Sequence, residues 1–163
     1  STGLRNSELI GLTWDAVRMD DGELLISKTL KRDGTATHKR IWGSTKTGKS
    51  RVVPINPQVV EMLKQHRLRM QELEMNTKSG LVFITPRTHQ HLYDSGLEQV
   101  WKRSLRRLGL PIRRLYSQRH TFLSHALALG NSPADLAEVA GHRTEQLLNT
   151  YAKPTGRVLL PRW

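Results

Sequence analysis

The chain has 163 residues, which is enough for about one domain with its own apolar core. It carries 26 Lys and Arg against 14 Asp and Glu, a formal net charge of +12, and no cysteine. This composition excludes disulfides, cysteine nucleophiles and thiolate metal sites, and no apolar run approaches the ~18 residues of a membrane span, so we expect a soluble, intracellular, basic domain with nucleic acid as its first candidate partner.

The first part of the chain predicts one short helix followed by a small sheet. Asn6 or Ser7 can cap the helix, and Glu8 is well placed in its first turn. Apolar or β-branched runs bounded by turn residues predict three strands, at residues 24–26, 38–42 and 51–53. Because the links between them are short, we expect these strands to form one antiparallel sheet.

The second part of the chain predicts helices. Asn56-Pro57 is typical of a helix start, and a helical period continues to about Met75. Ser95 is expected to cap a helix that stops at Gly109. Further helices are predicted at about residues 116–129, 133–140 and 144–152. The predicted fold class is α+β, mostly helical, with a small three-stranded antiparallel sheet packed on a helical bundle.

The positive charge is concentrated in two blocks. Residues 28–51 contain eight Lys or Arg and one acid, and residues 101–119 contain seven and no acid. Blocks of this kind indicate a polyanion-binding surface, because each neutralised phosphate releases counterions; the alternative is a pair of solvated faces that aid solubility. The side chains predicted to contact DNA are Lys28, Lys31, Arg32, Lys39, Arg40, Lys49, Lys102, Arg103, Arg106, Arg107, Arg113 and Arg114.

Residues 43–50, GSTKTGKS, match the nucleotide-binding pattern G-x-x-x-x-G-K-[ST]. That pattern requires a helix to begin at the Lys-Ser pair, so that its free N–H groups face the phosphates. Here Ser50 leads into Arg51-Val52-Val53-Pro54, where β-branched residues and proline favour a strand. We therefore interpret the match as accidental.

Arg119 is the most informative single residue. It precedes two apolar residues by three and four positions, so its stem points toward the core side of its helix, a face that Tyr116 shares. A guanidinium near a core must be paired, yet residues 99–134 contain no acid. Its partner is therefore either a distant carboxylate, such as Glu8, or an anionic ligand.

Four dispersed segments carry a resemblance to a known family. They are Thr2–Leu9 (TGLRNSEL), Thr45–Thr47, Tyr116–Thr121 (YSQRHT), and Gly141-His142 with Tyr151 nine residues later. Their order and spacing resemble the catalytic domain of the tyrosine recombinases, the phage integrase family, over essentially the whole chain. The resemblance implies the tyrosine-recombinase catalytic-domain fold.

The matched positions give the residues that the resemblance assigns to catalysis. Arg5 and Arg119 match the two arginine boxes, and Lys46 lies in the turn where the family carries its lysine. Ala140 stands where the family usually has Leu before the Gly-His pair. The assigned residues are Arg5, Lys46, Tyr116, Arg119, His142 and Tyr151, with Glu8 in support.

One position departs from the family pattern. The family has His as the first residue of His-x-x-Arg, and this chain has Tyr116. Because a phenol titrates near pH ~10 and an imidazole near neutrality, Tyr116 is expected to be a poor general base, although it can hydrogen-bond at the site. His120 is predicted to point roughly 100° around the helix from Arg119 and not to fill the gap.

The resemblance implies a phage or mobile-element integrase, a site-specific recombinase that cuts and rejoins DNA through a 3′-phosphotyrosyl intermediate. The Tyr151 hydroxyl would attack the phosphodiester, and Lys46 would protonate the leaving 5′ oxygen. Arg5 and Arg119 would bind the non-bridging oxygens, and His142 would hydrogen-bond the phosphate. No metal, ATP or other cofactor is expected.

Other functions stay open beside this one. Residues 133–151 predict two short helices across a glycine turn, as in a non-catalytic helix-turn-helix DNA-binding module, although Leu147-Leu148 suggests that the second helix packs inward. A type IB topoisomerase-like strand transferase would use the same chemistry. A zinc site made by His120, His125 and His142 has no supporting spacing.

The resemblance also implies how the chain relates to a longer protein. Arg5 lies four residues from the start, whereas the family has further helices and a separate N-terminal DNA-binding domain before this box, so residues 1–163 are expected to be the C-terminal catalytic domain alone. We expect weak DNA binding by this part, a tetramer on DNA for the full-length protein, and a location at the bacterial nucleoid in the cytoplasm. The apolar residues 158–163 are predicted to dock on this domain or on a neighbouring protomer.

Overall fold

The computed structural model of the chain describes residues 2–34, 39–75 and 78–151. Within these ranges the α-helices are α1 Asn6–Ile10, α2 Pro57–Glu72, α3 Asp94–Arg107, α4 Ser117–Ala128, α5 Pro133–Ala140 and α6 Thr144–Tyr151. The strands are β1 Val17–Arg18, β2 Glu23–Ile26, β3 Lys28–Arg32, β4 Arg40–Ser44 and β5 Arg51–Pro54. The predicted α+β, mostly helical class is confirmed, and no described helix is long and apolar enough to cross a membrane.

The strands form two antiparallel sheets rather than the single sheet predicted. The three-stranded sheet has the order β1-β2-β5, and β3 pairs with β4 in a separate hairpin. The prediction that the strand near residues 38–42 joins the other two is therefore wrong: its described part is β4, with Trp42 opposite Leu30 of β3. The sequence signal for β3 is weak because Leu30 is its one strongly apolar residue, whereas burial of Thr29 and Leu30 fixes the strand in the fold.

Three apolar clusters connect these elements. The first joins the three-stranded sheet to α2 and contains the fully buried Val53. The second joins α1, the β3–β4 hairpin and α2 around Ile10. The third joins α4, α5 and α6 around Leu123 and Leu147. Burial of each of these leucine side chains stabilises the fold by about 1.5–3 kcal/mol. The third cluster fixes the helices that carry most of the predicted site.

The helix boundaries test two of the predicted caps. Asn56 accepts a hydrogen bond from a backbone N–H of the first turn of α2, which begins at Pro57 as predicted. The prediction for α3 is wrong, because the helix begins at Asp94 with Tyr93 at the N-cap position, one residue before Ser95. Residues 158–163, which were predicted to dock, lie outside the described residues.

Candidate active site

Three arginines from distant parts of the chain meet at the carboxyl end of α5. Arg51, Arg119 and Arg5 donate to the carbonyl oxygens of residues 139, 140 and 141 in that order, at 2.7, 2.5 and 2.6 Å. The last carbonyls of a helix have no partner within it and carry the negative end of the helix dipole, so they attract cations. We refer to Arg5, Arg51 and Arg119 as the arginine cluster.

Glu8 is the carboxylate inside the arginine cluster. It is 1% exposed and accepts from Arg51 at 3.0 and 2.8 Å, from the Arg5 guanidinium at 2.9 Å and from the Arg5 backbone N–H at 2.8 Å. The last bond places Arg5 at the N-cap of α1, so the caps predicted at Asn6 or Ser7 are wrong. Burial acts to raise the pKa of Glu8, but the hydrogen bonds from Arg51 and the Arg5 backbone outweigh it and hold that pKa below its ordinary value.

Arg119 is buried as predicted, at 2% exposure, but no carboxylate is its hydrogen-bond partner. It donates to the carbonyls of Gly3 and Ala140, and its Nε has no hydrogen-bond partner in the described part of the chain. The alternative in which Glu8 pairs with Arg119 is contradicted, because Glu8 is bound by the other two arginines. Burial, and then the charge of Arg5, lower the pKa of Arg119, because both disfavour its charged form, while the charge of Glu8 opposes the shift.

His142 follows the end of α5 and contacts Arg119 directly. Its Nε2 lies 3.0 Å from Arg119 Nη2, which is a donor, so Nε2 accepts and the neutral ring carries its proton on Nδ1. Burial, and then the charges of Arg119, Arg5 and Lys46, lower the pKa of His142 to about 4. Nδ1 is itself buried and without a partner among the described residues. At neutral pH the ring therefore presents an unused N–H donor.

Lys46 lies on the tight turn that connects β4 to β5. The buried Thr45 hydroxyl donates to the Lys49 carbonyl at 2.7 Å, and the Gly48 N–H donates to the Thr45 carbonyl at 3.0 Å. Lys46 is exposed on this turn and lines a cleft of about 770 Å³ together with Arg5, Arg51 and His142. The strand β5, and not a helix, follows Ser50, so the interpretation of the phosphate-loop match as accidental is confirmed.

Tyr151, at the end of α6, lies against α4. Its hydroxyl is 2.9 Å from His120 Nδ1, and Tyr116 packs edge-on against the same imidazole with ring centroids 5.1 Å apart. His120, which is predicted not to fill the gap left by the family's histidine, therefore contacts both Tyr151 and Tyr116. The signal that could have found it is its spacing of four residues from Tyr116, which places both rings on one face of α4. Burial, and then Tyr116, raise the pKa of Tyr151, while Arg119 opposes the shift.

Arg51 is the second functional residue that sequence reasoning missed. It was noted as part of a motif but given no role, whereas the structure makes it the bidentate partner of Glu8. The signal was the two-residue period of β5: Arg51 lies on the same face as Val53, which is fully buried. A basic residue on the inward face of a strand needs a carboxylate partner.

The side chains predicted to contact DNA separate into exposed and braced groups. Arg40 has a side chain only 4% exposed and donates to the Leu30 carbonyl and to Asp94, which also binds Arg32. Arg40 therefore braces the β3–β4 hairpin, which corrects its prediction as a DNA contact. Lys28 and Lys102 are half-buried, and the exposed members are Lys31, Arg32, Lys39, Lys49, Arg103, Arg106, Arg107, Arg113 and Arg114.

The histidines considered for zinc have separate surroundings. His120 contacts Tyr151, His142 contacts Arg119, and His125 lines a different groove beside α4. Across the described ranges, no group of three or more His, Asp or Glu side chains is arranged to hold a metal ion.

The fold agrees with what comparison to solved structures shows. The Tn1549 transposon integrase, solved in complex with transposon right end DNA, superposes with a TM-score of 0.78 at 22% identity, over 95% of this chain and 52% of that chain. XerA recombinase superposes with a TM-score of 0.72 at 19% identity, over 95% of this chain and 50% of that chain. The fold is therefore the predicted tyrosine-recombinase catalytic-domain fold.

The family follows from sequence comparison. The profile of the phage integrase family matches residues 1–157, and the chain belongs to this family. A XerC-like tyrosine recombinase of Caldanaerobacter subterraneus is 30% identical over 86% of this chain and 40% of that protein. The integrase of Mycobacterium phage FRAT1 is 27% identical over 92% of this chain and 44% of that protein. The chain thus spans less than half the length of these relatives.

Proposed function

We propose that this chain is the catalytic domain of a site-specific DNA recombinase, a phage or mobile-element integrase that links itself to a DNA 3′ phosphate through Tyr151. The observation that carries the proposal is the arginine cluster at the end of α5. It gathers three guanidiniums, of which Arg5 and Arg51 share the Glu8 carboxylate, so it carries positive charge in excess in a largely buried place. Such a centre is stabilised by an anion, and a phosphodiester fits the planar fork of a guanidinium.

Two unused donors support a phosphate as that anion. Arg119 Nε and His142 Nδ1 are buried N–H groups with no partner among the residues described. Their side chains contact each other through Arg119 Nη2 and His142 Nε2, which lie 3.0 Å apart, and in the proposal one phosphate binds beside both. In the proposed complex these donors bind the non-bridging oxygens and stabilise the charge that develops in the transition state.

The proposed reaction is an exchange of phosphodiester bonds. The Tyr151 hydroxyl gives its proton to a base as its oxygen forms a bond to phosphorus, the bond from phosphorus to the 5′ oxygen breaks, and Lys46 gives a proton to that oxygen. A 5′-hydroxyl from a second strand then reverses the step. The arginine cluster supplies positive charge to the transition state and the phosphotyrosyl link retains the bond energy, so the reaction needs neither ATP nor a metal.

The proposed substrate is double-stranded DNA. The exposed basic side chains of α3 and the loop that follows it provide sequence-independent phosphate contacts on the outside of the domain, with Arg106 and Arg113 as examples. The Tn1549 and XerH neighbours were solved as DNA complexes, which supports this choice. An enzyme of this kind works on the nucleoid, in the cytoplasm of a bacterial cell.

We also propose that residues 1–163 correspond to the C-terminal catalytic domain of a longer recombinase. The chain covers 40% of the XerC-like relative, which leaves room in such proteins for a separate DNA-binding domain. Recombination joins two duplexes at two sites, and a tetramer of the full-length protein on DNA would supply one active site for each strand exchanged.

The helix-turn-helix alternative accounts for less of the structure. Leu147 is fully buried, so the inner face of α6 belongs to the core, and Gln146 and Asn149 remain exposed for base contacts. That function gives no reason for Arg5 and Arg119 to meet at the end of α5. A DNA-binding module would also not require a tyrosine in contact with an imidazole.

The test is the capture of a covalent adduct on DNA whose target sequence need not be known. A pool of duplexes is randomised around a fixed nick, so that cleavage a few nucleotides from the nick releases a short fragment and traps the enzyme. We expect an adduct that survives denaturation for the wild type and for Tyr93→Phe, the matched control at the start of α3, and none for Tyr151→Phe.

The outcomes of this experiment separate the alternatives. Sequencing of the trapped DNA identifies the preferred site. Binding of the pool without any adduct from the wild type contradicts the proposal and favours a binding module. An adduct accompanied by relaxation of supercoiled plasmid that lacks a partner site favours the topoisomerase-like alternative.

A further inference from the structure

We propose that His120 accepts the proton of the Tyr151 hydroxyl as that hydroxyl attacks the phosphodiester. This inference rests on the proposed function and adds to it a residue that the family pattern does not assign. It assigns the base role, for which Tyr116 is poorly suited, to the imidazole four residues further along the chain, on α4.

The contact geometry suits proton transfer. His120 Nδ1 lies 2.9 Å from the Tyr151 hydroxyl oxygen. This is within the distance of about 2.6–3.2 Å between heavy atoms at which a general base can take a proton. The two ring centroids are 5.5 Å apart. In the proposal the phenol hydroxyl donates and Nδ1 accepts, so the neutral His120 ring carries its own proton on Nε2.

The other candidate bases are less suitable. Tyr116 holds the family's base position, but its ring packs edge-on against His120, and one phenol is no stronger a base than another. His142 already accepts from Arg119 at Nε2, and burial and the neighbouring cations lower the pKa of His142 to about 4. Lys46 is assigned to the leaving oxygen and so must enter the reaction protonated.

The environment of each group explains why a base is needed and why His120 can act. Burial raises the pKa of Tyr151, so this nucleophile is protonated at neutral pH and must lose its proton during attack. His120 is exposed, so the imidazolium that forms stays hydrated and can release its proton to water. The step is balanced: the hydroxyl proton moves to Nδ1 as the O–P bond forms, and the 5′ oxygen that leaves phosphorus takes a proton from Lys46.

The experiment compares two substitutions and a matched control in the adduct assay, using the 163-residue chain and the randomised nicked duplexes. His120→Ala removes the base and leaves room for free imidazole, whereas His120→Asn keeps a polar atom near the position of Nδ1 that cannot take a proton. His125→Ala, on the same helix and lining a different groove, is the control. We expect both His120 variants to slow adduct formation by roughly 10²–10⁴-fold with DNA binding unchanged, and added imidazole to restore His120→Ala alone.

Two results overturn the inference. If His120→Asn reacts at the wild-type rate, the imidazole only positions Tyr151, and if folded His120→Ala is not restored by imidazole, its part is structural. If His120→Ala does not fold, His120→Asn decides the question alone. Its rate of adduct formation is then interpreted once its melting temperature and its DNA binding are shown to equal those of the wild type. If the wild-type protein forms no adduct, the proposed function itself is contradicted. If all variants form the adduct as well as the wild type, only the role of His120 is contradicted.

Discussion

Replacement of Glu8 by glutamine is the sharpest test of the arginine cluster. Glu8→Gln keeps the shape of the side chain but removes its charge and turns one oxygen into an N–H₂ group. That group would face donors, because both carboxylate oxygens accept hydrogen bonds from Arg5 and Arg51. The variant therefore leaves guanidiniums near each other with no carboxylate among them.

The expected loss of stability follows from the burial of this network. Glu8 is 1% exposed, and removal of one partner of a buried ion pair costs about 3–5 kcal/mol. For a domain of this size, 1 kcal/mol corresponds to about 2–4 °C, so we expect the melting temperature to fall by roughly 10 °C. Total stabilities are about 5–15 kcal/mol, so the variant remains measurable in most of this range.

Urea unfolding followed by circular dichroism measures this change, with Glu61→Gln as the control. Glu61 is exposed on α2 and accepts from Gln65, so its substitution is expected to change the unfolding free energy by less than about 0.5 kcal/mol. A loss below about 1 kcal/mol for Glu8→Gln would refute the argument that this carboxylate holds the cluster together.

Acid gives an independent check of the same carboxylate. The pKa of Glu8 in the folded protein is lowered from 4.5, so the unfolded chain binds the proton more readily. The stability that Glu8 contributes is therefore complete above its unfolded value and is lost as the pH falls through the folded one. Glu8→Gln is expected to lack this part of the acid dependence. An acid unfolding profile identical to that of the wild type would show that the Glu8 carboxylate does not contribute to it.

Two further predictions concern the residues that follow α5. Gly141→Ala is expected to lower the free energy of unfolding in urea by about 1–3 kcal/mol more than Gly109→Ala. Both glycines have positive φ, but a Cβ at residue 141 would lie 3.1 Å from Arg5 Nη1, whereas one at residue 109 meets nothing within 4 Å. Equal losses would show that the guanidinium contact is unimportant. The pKa of His142 is lowered from 6.5 to about 4, so the unfolded chain takes up a proton first and stability should fall as the pH drops between these values. The unfolding free energies at pH 7 and pH 5 should differ less in His142→Gln, which keeps an acceptor for Arg119, than in the wild type. If the difference is the same in both proteins, His142 is not the source of this pH dependence.

The features that sequence reasoning predicted correctly depend on local patterns. The apolar positions after Arg119 place it on the inner side of α4, and the structure confirms its burial. Asn56-Pro57 begins α2 because the cap acts within one turn. The turn that carries Lys46 is likewise set by a few consecutive residues, including Gly48 with φ of 73°.

The wrong or missing predictions for His120, β4 and Arg40 concern contacts between elements. The position of His120 relative to Arg119 says where its Cβ points, but its partner is decided by where α6 brings the long side chain of Tyr151. The pairing of β4 with β3 was missed for a similar reason, since a strand's own sequence does not name its neighbour. Arg40 is predicted as a DNA contact from its place in a basic block, but the fold pairs it with Asp94, which lies 54 residues further along the chain.

The Gly141-His142 pair shows why a short motif can be specific to one site. Gly141 ends α5 in the left-handed conformation, with φ of 63°, and this turn leaves the last carbonyls of the helix free for the arginine cluster. A Cβ at Gly141 would lie 3.1 Å from Arg5 Nη1 and 3.2 Å from Arg51 Cζ, so these guanidiniums would have to shift to make room, and the positive φ itself favours glycine. The next residue then emerges beside Arg119, which is where His142 accepts its hydrogen bond. One helix end thus sets the positions of the arginine cluster and of the imidazole, although these residues are spread over 138 positions of the chain.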